Sequence, residues 1–108
     1  QMAASSNMIG VFVTFDLGAD FDAARLTQLA QAALPKFQGM PELVSKTFTI
    51  DAGARQAVNF YVWRTEAAAR RFFSEETLAW VTGVYGVQPT LRFVQIAGLV
   101  ESQGELGS

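Results

Sequence analysis

The chain has 108 residues, half of them hydrophobic, which suits one compact domain with one core and is too short for two. Its formal net charge is -2 and its basic residues are scattered, so we expect neither a nucleic acid nor an anionic membrane surface as a partner. It contains no histidine and no cysteine, which excludes Ser-His-Asp and Cys-His catalysis, disulfides, and histidine-ligated haem or zinc.

The two ends of the chain are small and polar, so we expect flexible termini over residues 1–7 and 102–108 and a single domain over residues 8–101. The N-terminal residues lack the basic and apolar regions of a signal peptide. No apolar run approaches the roughly 20 residues needed to span a bilayer. We therefore expect a cytoplasmic protein.

The first half of the domain predicts a strand followed by a helix. Residues 8–16, MIGVFVTFD, are apolar on both faces, which is typical of a buried central strand. Asp20 or Asp22 can cap the helix that follows. Its apolar residues recur at helical spacing and face a core: Leu26, Leu29, Ala30, Ala33, Leu34 and Phe37. Pro35 predicts that the regular helix stops or kinks near Leu34.

Residues 43–51 and 56–63 have strand composition and are separated by a short turn, which predicts a β-hairpin. If residues 51 and 55 pair across the turn, Thr47 lies opposite Asn59 and Lys46 lies on the other face. A pocket on one face of the sheet would then include at most one of Lys46 and Asn59.

The second half of the chain predicts another helix and a last strand. Thr65 with Glu66 begins the helix, Ser74 restarts it, and the glycines at 83 and 86 end it. A final strand follows over residues 90–100. The order βαββαβ predicts an α+β, ferredoxin-like fold: a four-stranded antiparallel sheet with two helices on one face.

Two helices cover only one face of such a sheet, and the first and last strands carry apolar residues on both sides, as Phe12 and Val94 show. An uncovered apolar face of several hundred Å² is rare in a monomer. We therefore expect a homodimer whose two copies pack sheet to sheet.

Three segments resemble a known family. ELVSKTFTID, NFYVWRTEAAARRFF and VTGVYGVQPTLRFVQIAGLVE resemble the dimeric α+β barrel superfamily, especially its YdhR-like monooxygenases, over about residues 8–101. The superfamily includes quinol and anthrone monooxygenases that work without metal or flavin. Its haem-binding members rely on a histidine that this chain lacks. The resemblance therefore implies a dimeric α/β barrel and an oxidoreductase that needs no cofactor.

The resemblance also implies site residues. Anthrone-type members use an asparagine and a tryptophan four residues apart on a sheet strand, and Asn59 and Trp63 have that spacing. YdhR-like members carry an aromatic residue where Tyr61 stands and a lysine where Lys46 stands. Asn59 and Trp63 are the catalytic candidates. The substrate-binding candidates are Tyr61, Thr47, Lys46, Trp80 and Tyr85. No two carboxylates are spaced for a metal site or an acid-base pair.

Each candidate also has a structural interpretation. Asn59 either stabilises a developing oxyanion or is a hydrogen-bonded or solvent-facing structural residue. Lys46 is a base or anion anchor, or it snorkels to the sheet edge or pairs with Glu42. The aromatic residues form walls for a flat ligand, or they are ordinary core or interface packing.

The leading hypothesis is a cofactor-independent monooxygenase that acts on an aromatic or polyketide-like small molecule of the anthrone or quinol type. The alternative is a non-catalytic, small-molecule-binding homodimer of the same fold. A third possibility is an interaction domain whose dimer is its only role.

Overall fold

The computed structural model describes residues 7–102, so the predicted flexible ends lie outside it except for residues 7 and 102. A short 3₁₀ turn, Gly18–Asp20, follows the first strand. The strands and helices are β1 (Ile9–Asp16), α1 (Ala23–Phe37), β2 (Leu43–Asp51), β3 (Gln56–Trp63), α2 (Glu66–Phe72), α3 (Glu75–Tyr85) and β4 (Thr90–Gln95).

The four strands form one antiparallel sheet in the order β2-β3-β1-β4, with β1 between β3 and β4. This order and the helix-covered face confirm the predicted ferredoxin-like α+β fold. The second predicted helix consists of two helices, because Phe73 leaves the helical conformation between α2 and α3. The restart at Ser74 is therefore confirmed, and the sheet carries three helices in place of two. β4 ends at Gln95, before the predicted end of the strand.

Polar side chains begin the helices where the sequence predicts. The side chains of Asp22, Thr65 and Ser74 each accept a hydrogen bond from the backbone N–H three residues later, which satisfies an otherwise unpaired donor of the first turn. Gly86 ends α3 in the left-handed conformation, with φ 84°. Within residues 7–102, no helix is both long and apolar enough to cross a bilayer.

α1 does not stop near Leu34, which is one of the two outcomes that Pro35 predicts, because the helix includes Pro35 and continues to Phe37. Proline removes only the bond that its own N–H would donate, and near the C-terminus of a helix few later bonds depend on it. The N–H of Gln38 still donates to the carbonyl of Leu34 at 3.2 Å. This additional turn brings Lys36 and Phe37 over the sheet.

The predicted hairpin register is wrong by one residue. Asp51 pairs with Gln56, because Arg55 takes a left-handed conformation, with φ 57°, and belongs to the turn. Lys46 therefore lies opposite Tyr61, and Phe48 lies opposite Asn59. Since one residue of register exchanges the two faces of a strand, Lys46 and Asn59 share the helix-covered face, contrary to the prediction.

The core lies between this face and the helices, where Val11, Val13 and Phe15 of β1 are buried. The opposite face is open. Its apolar centre contains Phe12 and Phe60, whose ring centroids are 4.5 Å apart, while β2 contributes hydroxyl side chains there. The apolar patch that the sequence predicts is therefore present at the centre of the open face.

Candidate functional site

A cavity of about 630 Å³ lies between the helix-covered face of the sheet and the helices. This volume is in the usual range for a small-molecule site. Most of its wall is apolar, with major contributions from Val13, Phe15, Phe48, Leu29, Phe37 and Val81. A cavity of this size and lining suits a flat, largely apolar ligand.

A few polar side chains interrupt the apolar wall. The sheet contributes Lys46, Asn59 and Tyr61, α1 contributes Lys36, and α3 contributes Glu76, Thr77 and Tyr85. In the described part of the chain, no group of three carboxylate, histidine or cysteine side chains is arranged to hold a metal ion. The polar groups of the cavity wall are therefore amines, an amide, phenols, one hydroxyl and one carboxylate.

Asn59 is a buried polar residue of the cavity wall, with 4% of its surface exposed. Its neighbours across the sheet are Val13 on β1 and Phe48 on β2, and neither side chain offers a hydrogen bond. Among residues 7–102, nothing hydrogen-bonds to its carboxamide. Because buried amides nearly always have a partner, the free donors and acceptor of Asn59 are available to a ligand.

Lys46 extends over the sheet among aromatic rings. Its Nζ lies 3.5 Å from the ring centroid of Phe37, 4.1 Å from that of Phe48 and 4.4 Å from that of Tyr61. Burial, with a smaller contribution from the positive charge of Lys36, lowers the pKa of Lys46 to about 7. The faces of these three aromatic rings attract the protonated ammonium of Lys46, and this attraction opposes the lowering of its pKa.

Lys46 has no acidic partner. The one ion pair in the described part of the chain joins Arg70 to Glu66 at 2.7 Å, so the alternative pairing of Lys46 with Glu42 is absent. Lys46 therefore reaches the cavity as a partly buried amine with no anion beside it.

Tyr61 and Tyr85 supply two phenol groups. Tyr61 is 3% exposed, and burial, with a smaller contribution from Tyr85, raises its pKa above the ordinary tyrosine range. Its hydroxyl is therefore protonated at neutral pH and can donate a hydrogen bond. The ring of Tyr85 stacks on that of Phe15, with centroids 3.8 Å apart and planes 10° apart.

Trp63 shares a face with Asn59, as the spacing predicts, but it does not line the cavity. Its ring lies nearly parallel to that of Tyr61, with centroids 6.0 Å apart, and Phe72 contacts both rings, at 5.0 Å from Trp63 and 5.7 Å from Tyr61. The indole Nε1 is buried without a hydrogen-bond partner in residues 7–102. Any effect of Trp63 on a ligand in the cavity is therefore indirect, through the rings of Tyr61, Phe72 and Phe73, which do line it.

Of the two remaining candidates, Trp80 lines the cavity and Thr47 does not. Trp80 lies at the cavity mouth with 56% of its surface exposed, and the Nζ of Lys36 lies 4.1 Å from its ring centroid. Thr47 pairs with Phe60 on the open face and is exposed there, so the prediction that it binds a ligand beside Asn59 is wrong for this cavity. The same one-residue register shift moves Thr47 out of the cavity and Lys46 into it.

The sequence reasoning did not identify Lys36, Phe37 and Phe48 as site residues. Lys36 and Phe37 follow the proline at which the helix was expected to end, and Phe48 was paired with the wrong residue of β3. The sequence does contain one signal for Lys36: it and the site candidate Lys46 are the only two lysines in the chain.

Solved structures of similar fold include oxygenases. A monooxygenase from the ActVA-Orf6 gene of Streptomyces coelicolor, in complex with nanaomycin D, has a TM-score of 0.62 and 20% identity, over 90% of this chain and 93% of that one. The cofactor-independent oxygenase SnoaB of Streptomyces nogalater, solved as an asparagine-to-alanine mutant, has a TM-score of 0.63 and 14% identity, over 89% of this chain and 99% of that one.

A protein of unknown function from Nitrosomonas europaea has a TM-score of 0.67 and 15% identity, over 93% of this chain and 99% of that one. No protein-family model and no curated protein sequence matches the chain. At these identities the likeness is one of fold. The chain therefore has a ferredoxin-like α+β fold, which the two oxygenases share.

Proposed function

We propose that the protein is a cofactor-independent monooxygenase that oxidises an aromatic or polyketide-like small molecule of the anthrone or quinol type in this cavity. The observation that carries the proposal is Asn59, a buried amide without a partner on the wall of an apolar cavity. The fold is also that of SnoaB, a cofactor-independent oxygenase. Membership of the YdhR-like group stays a prediction.

The proposed reaction needs no group beyond the protein, the substrate and O₂. An anthrone loses a proton from its methylene carbon, and the electrons of that C–H bond become an enolate. The enolate reduces O₂ and forms a C–O bond, giving a hydroperoxide. Loss of water then leaves a second carbonyl, so anthrone and O₂ give quinone and water: one oxygen atom enters the product, and the other leaves with the two methylene hydrogens.

The side chains of the cavity would act on the anion. The N–H groups of Asn59 can donate to the enolate oxygen, and a donor fixed in an apolar site stabilises developing charge more than water does. The protonated hydroxyl of Tyr61 is a second donor on the same wall. Trp63 would be a positioning residue that holds the Tyr61 ring through their parallel contact.

We also propose that the protein acts as a homodimer through the open face of the sheet. The Phe12 and Phe60 rings at the centre of that face are the residues to cover, and proteins of this fold are typically dimers. The cavity lies on the other side of the sheet, so dimerisation through this face leaves it accessible.

Turnover tests the oxygenase. The protein is incubated with an anthrone such as dithranol under O₂, and quinone formation is followed by absorbance. We expect a rate above buffer that falls by roughly 10²- to 10³-fold in Asn59→Ala, the usual cost of losing one oxyanion donor. A wild-type rate equal to that of buffer would rule out the enzyme for this class of substrate.

A second candidate is a small-molecule-binding homodimer without catalysis. The position of Trp63 favours it, because the tryptophan implied as catalytic does not reach the cavity. This alternative predicts that the anthrone binds, with saturable quenching of the chain's tryptophan fluorescence, and is recovered unchanged.

A further inference from the structure

We propose that the cavity takes a weakly acidic aromatic ligand, a phenol or an enolisable benzylic ketone, and that Lys46 accepts its acidic proton and stays beside the anion as counter-ion. The inference rests on the proposed function in one respect: the ligand occupies the same cavity. It adds the base and the charge state of the ligand, and it applies to binding with or without oxidation.

The first observation is where the chain places its lysines. Both lysines line this cavity, and none of the arginines does, although all of them lie in the described part of the chain. Glu76 is the one acidic side chain of the lining. Once Lys46 is protonated, the two lysines outnumber Glu76, so the cavity has an excess of positive charge in a chain whose formal net charge is -2, which favours an anion beside Lys46.

The second observation is the surroundings of Lys46. The titratable groups that line the cavity with it are Lys36 from α1, Tyr61 from β3, and Glu76 and Tyr85 from α3, while α2 contributes only Phe72. Glu76 makes no ion pair with it in residues 7–102. A partly buried amine in an apolar wall normally has an acidic partner, and within residues 7–102 Lys46 has none.

The third observation is the position of Lys46 relative to Asn59. Lys46 lies opposite Tyr61, and Asn59 is two residues before Tyr61 on the same strand, so the two are diagonal neighbours on one face. Diagonal neighbours are roughly 7–8 Å apart at the backbone. One ligand oxygen between them can therefore accept a hydrogen bond from the amide and one from the ammonium.

The proton balance is simple. A neutral Lys46 takes the proton of the ligand O–H or activated C–H, and its lone pair becomes the new N–H bond. The electrons of the broken bond stay on the ligand as phenolate or enolate. Burial lowers the pKa of Lys46 to about 7 in the empty cavity, so the neutral amine is well populated at neutral pH. A bound anion raises that pKa again and so stabilises the pair.

The test compares two probes of nearly the same shape. 4-Nitrophenol has an acidic proton and, as phenolate, a visible absorption band, whereas 4-nitroanisole has neither. The measurement is made at a pH below the pKa of free 4-nitrophenol, where the free probe is mostly protonated. There we expect the wild-type protein to bind 4-nitrophenol more tightly than 4-nitroanisole and the bound 4-nitrophenol to show the phenolate band. With Lys46→Met, bound 4-nitrophenol should show no phenolate band. The variant should bind 4-nitrophenol roughly tenfold to a hundredfold more weakly than the wild type does, which is the range for one charge-assisted hydrogen bond. Its affinity for 4-nitroanisole should be unchanged.

Arg71→Met is the matched control, because it removes one positive charge from an exposed position of α2 outside the cavity. It should bind both probes as the wild type does. If Lys46→Met does not fold, as judged by circular dichroism, the band in the wild-type protein decides the question. The proposal is overturned by a phenol that binds without the phenolate band, by a Lys46→Met variant that keeps the preference, or by a wild-type protein that binds neither probe.

The result is separable from the oxygenase test. Phenolate formation without anthrone turnover would support the base and overturn the oxygenase. Turnover without phenolate formation would overturn the role of Lys46 and leave the oxygenase.

Discussion

The unpaired amine of Lys46 should make the folded protein less stable at neutral pH than at mildly alkaline pH. The pKa of Lys46 falls from 10.5 to about 7 on folding, mainly through burial. Between these values the unfolded chain binds a proton that the folded chain does not, so the free energy of unfolding rises with pH, by at most about 1.4 kcal/mol per pH unit. From pH 6 to pH 9 the free energy of unfolding should therefore increase by roughly 2–3 kcal/mol.

Urea unfolding at fixed protein concentration, from pH 6 to pH 9, measures this gain in the wild-type protein and in Lys46→Met. Methionine keeps much of the side-chain volume and does not titrate, so its curve should be flatter, and the variant should be the more stable protein at pH 6. The series should stop below pH 10. Above it, the raised pKa of Tyr61 reverses the sign, because the unfolded tyrosine loses a proton that the folded one keeps. Parallel curves for the two proteins would refute the argument, since the pH dependence would then come from other groups.

Three further predictions concern other side chains. Asn59→Leu removes a cavity-wall amide that has no hydrogen-bond partner in residues 7–102, so calorimetry should show a protein at least as stable as the wild type that has lost anthrone oxidation; a less stable variant would indicate a structural role. Phe60→Arg should convert the proposed dimer to the monomer mass of 11.7 kDa in light scattering, and a wild-type protein already at that mass would contradict the dimer. Trp63→Phe and Tyr61→Leu should have non-additive effects on kcat/KM, because Trp63 acts through the Tyr61 ring; additive effects would contradict this role.

The sequence predicted the fold well because its local signals agree with one another. The ranges of β2 and β3 match the predicted ones, since both runs have strand composition and end at a turn. Asp22, Thr65 and Ser74 cap their helices because a short polar side chain can satisfy the free N–H groups of a first turn. The order of elements then leaves few topologies, and the observed one is among them.

The site was predicted less well because it depends on details that composition does not fix. The hairpin register depends on the left-handed conformation of Arg55, and nothing in the type of that residue signals it. The Asn59–Trp63 spacing places both side chains on one face, yet it cannot show that Asn59 lines the cavity and Trp63 does not. Lys36 reaches the cavity only because the helix passes Pro35.

The two unsatisfied groups of the cavity are best explained together. Within residues 7–102, the Asn59 amide has no hydrogen-bond partner and the Lys46 amine has no acid beside it, and the two occupy neighbouring positions on one wall. Dimerisation through the open face cannot supply the missing partners, because both side chains lie on the other face of the sheet. Core packing cannot supply them either, since both face the cavity. An oxygen anion on an aromatic ligand can pair with both groups at once. A ligand that fits the apolar wall can therefore also supply the partner that the Asn59 amide and the Lys46 amine each lack.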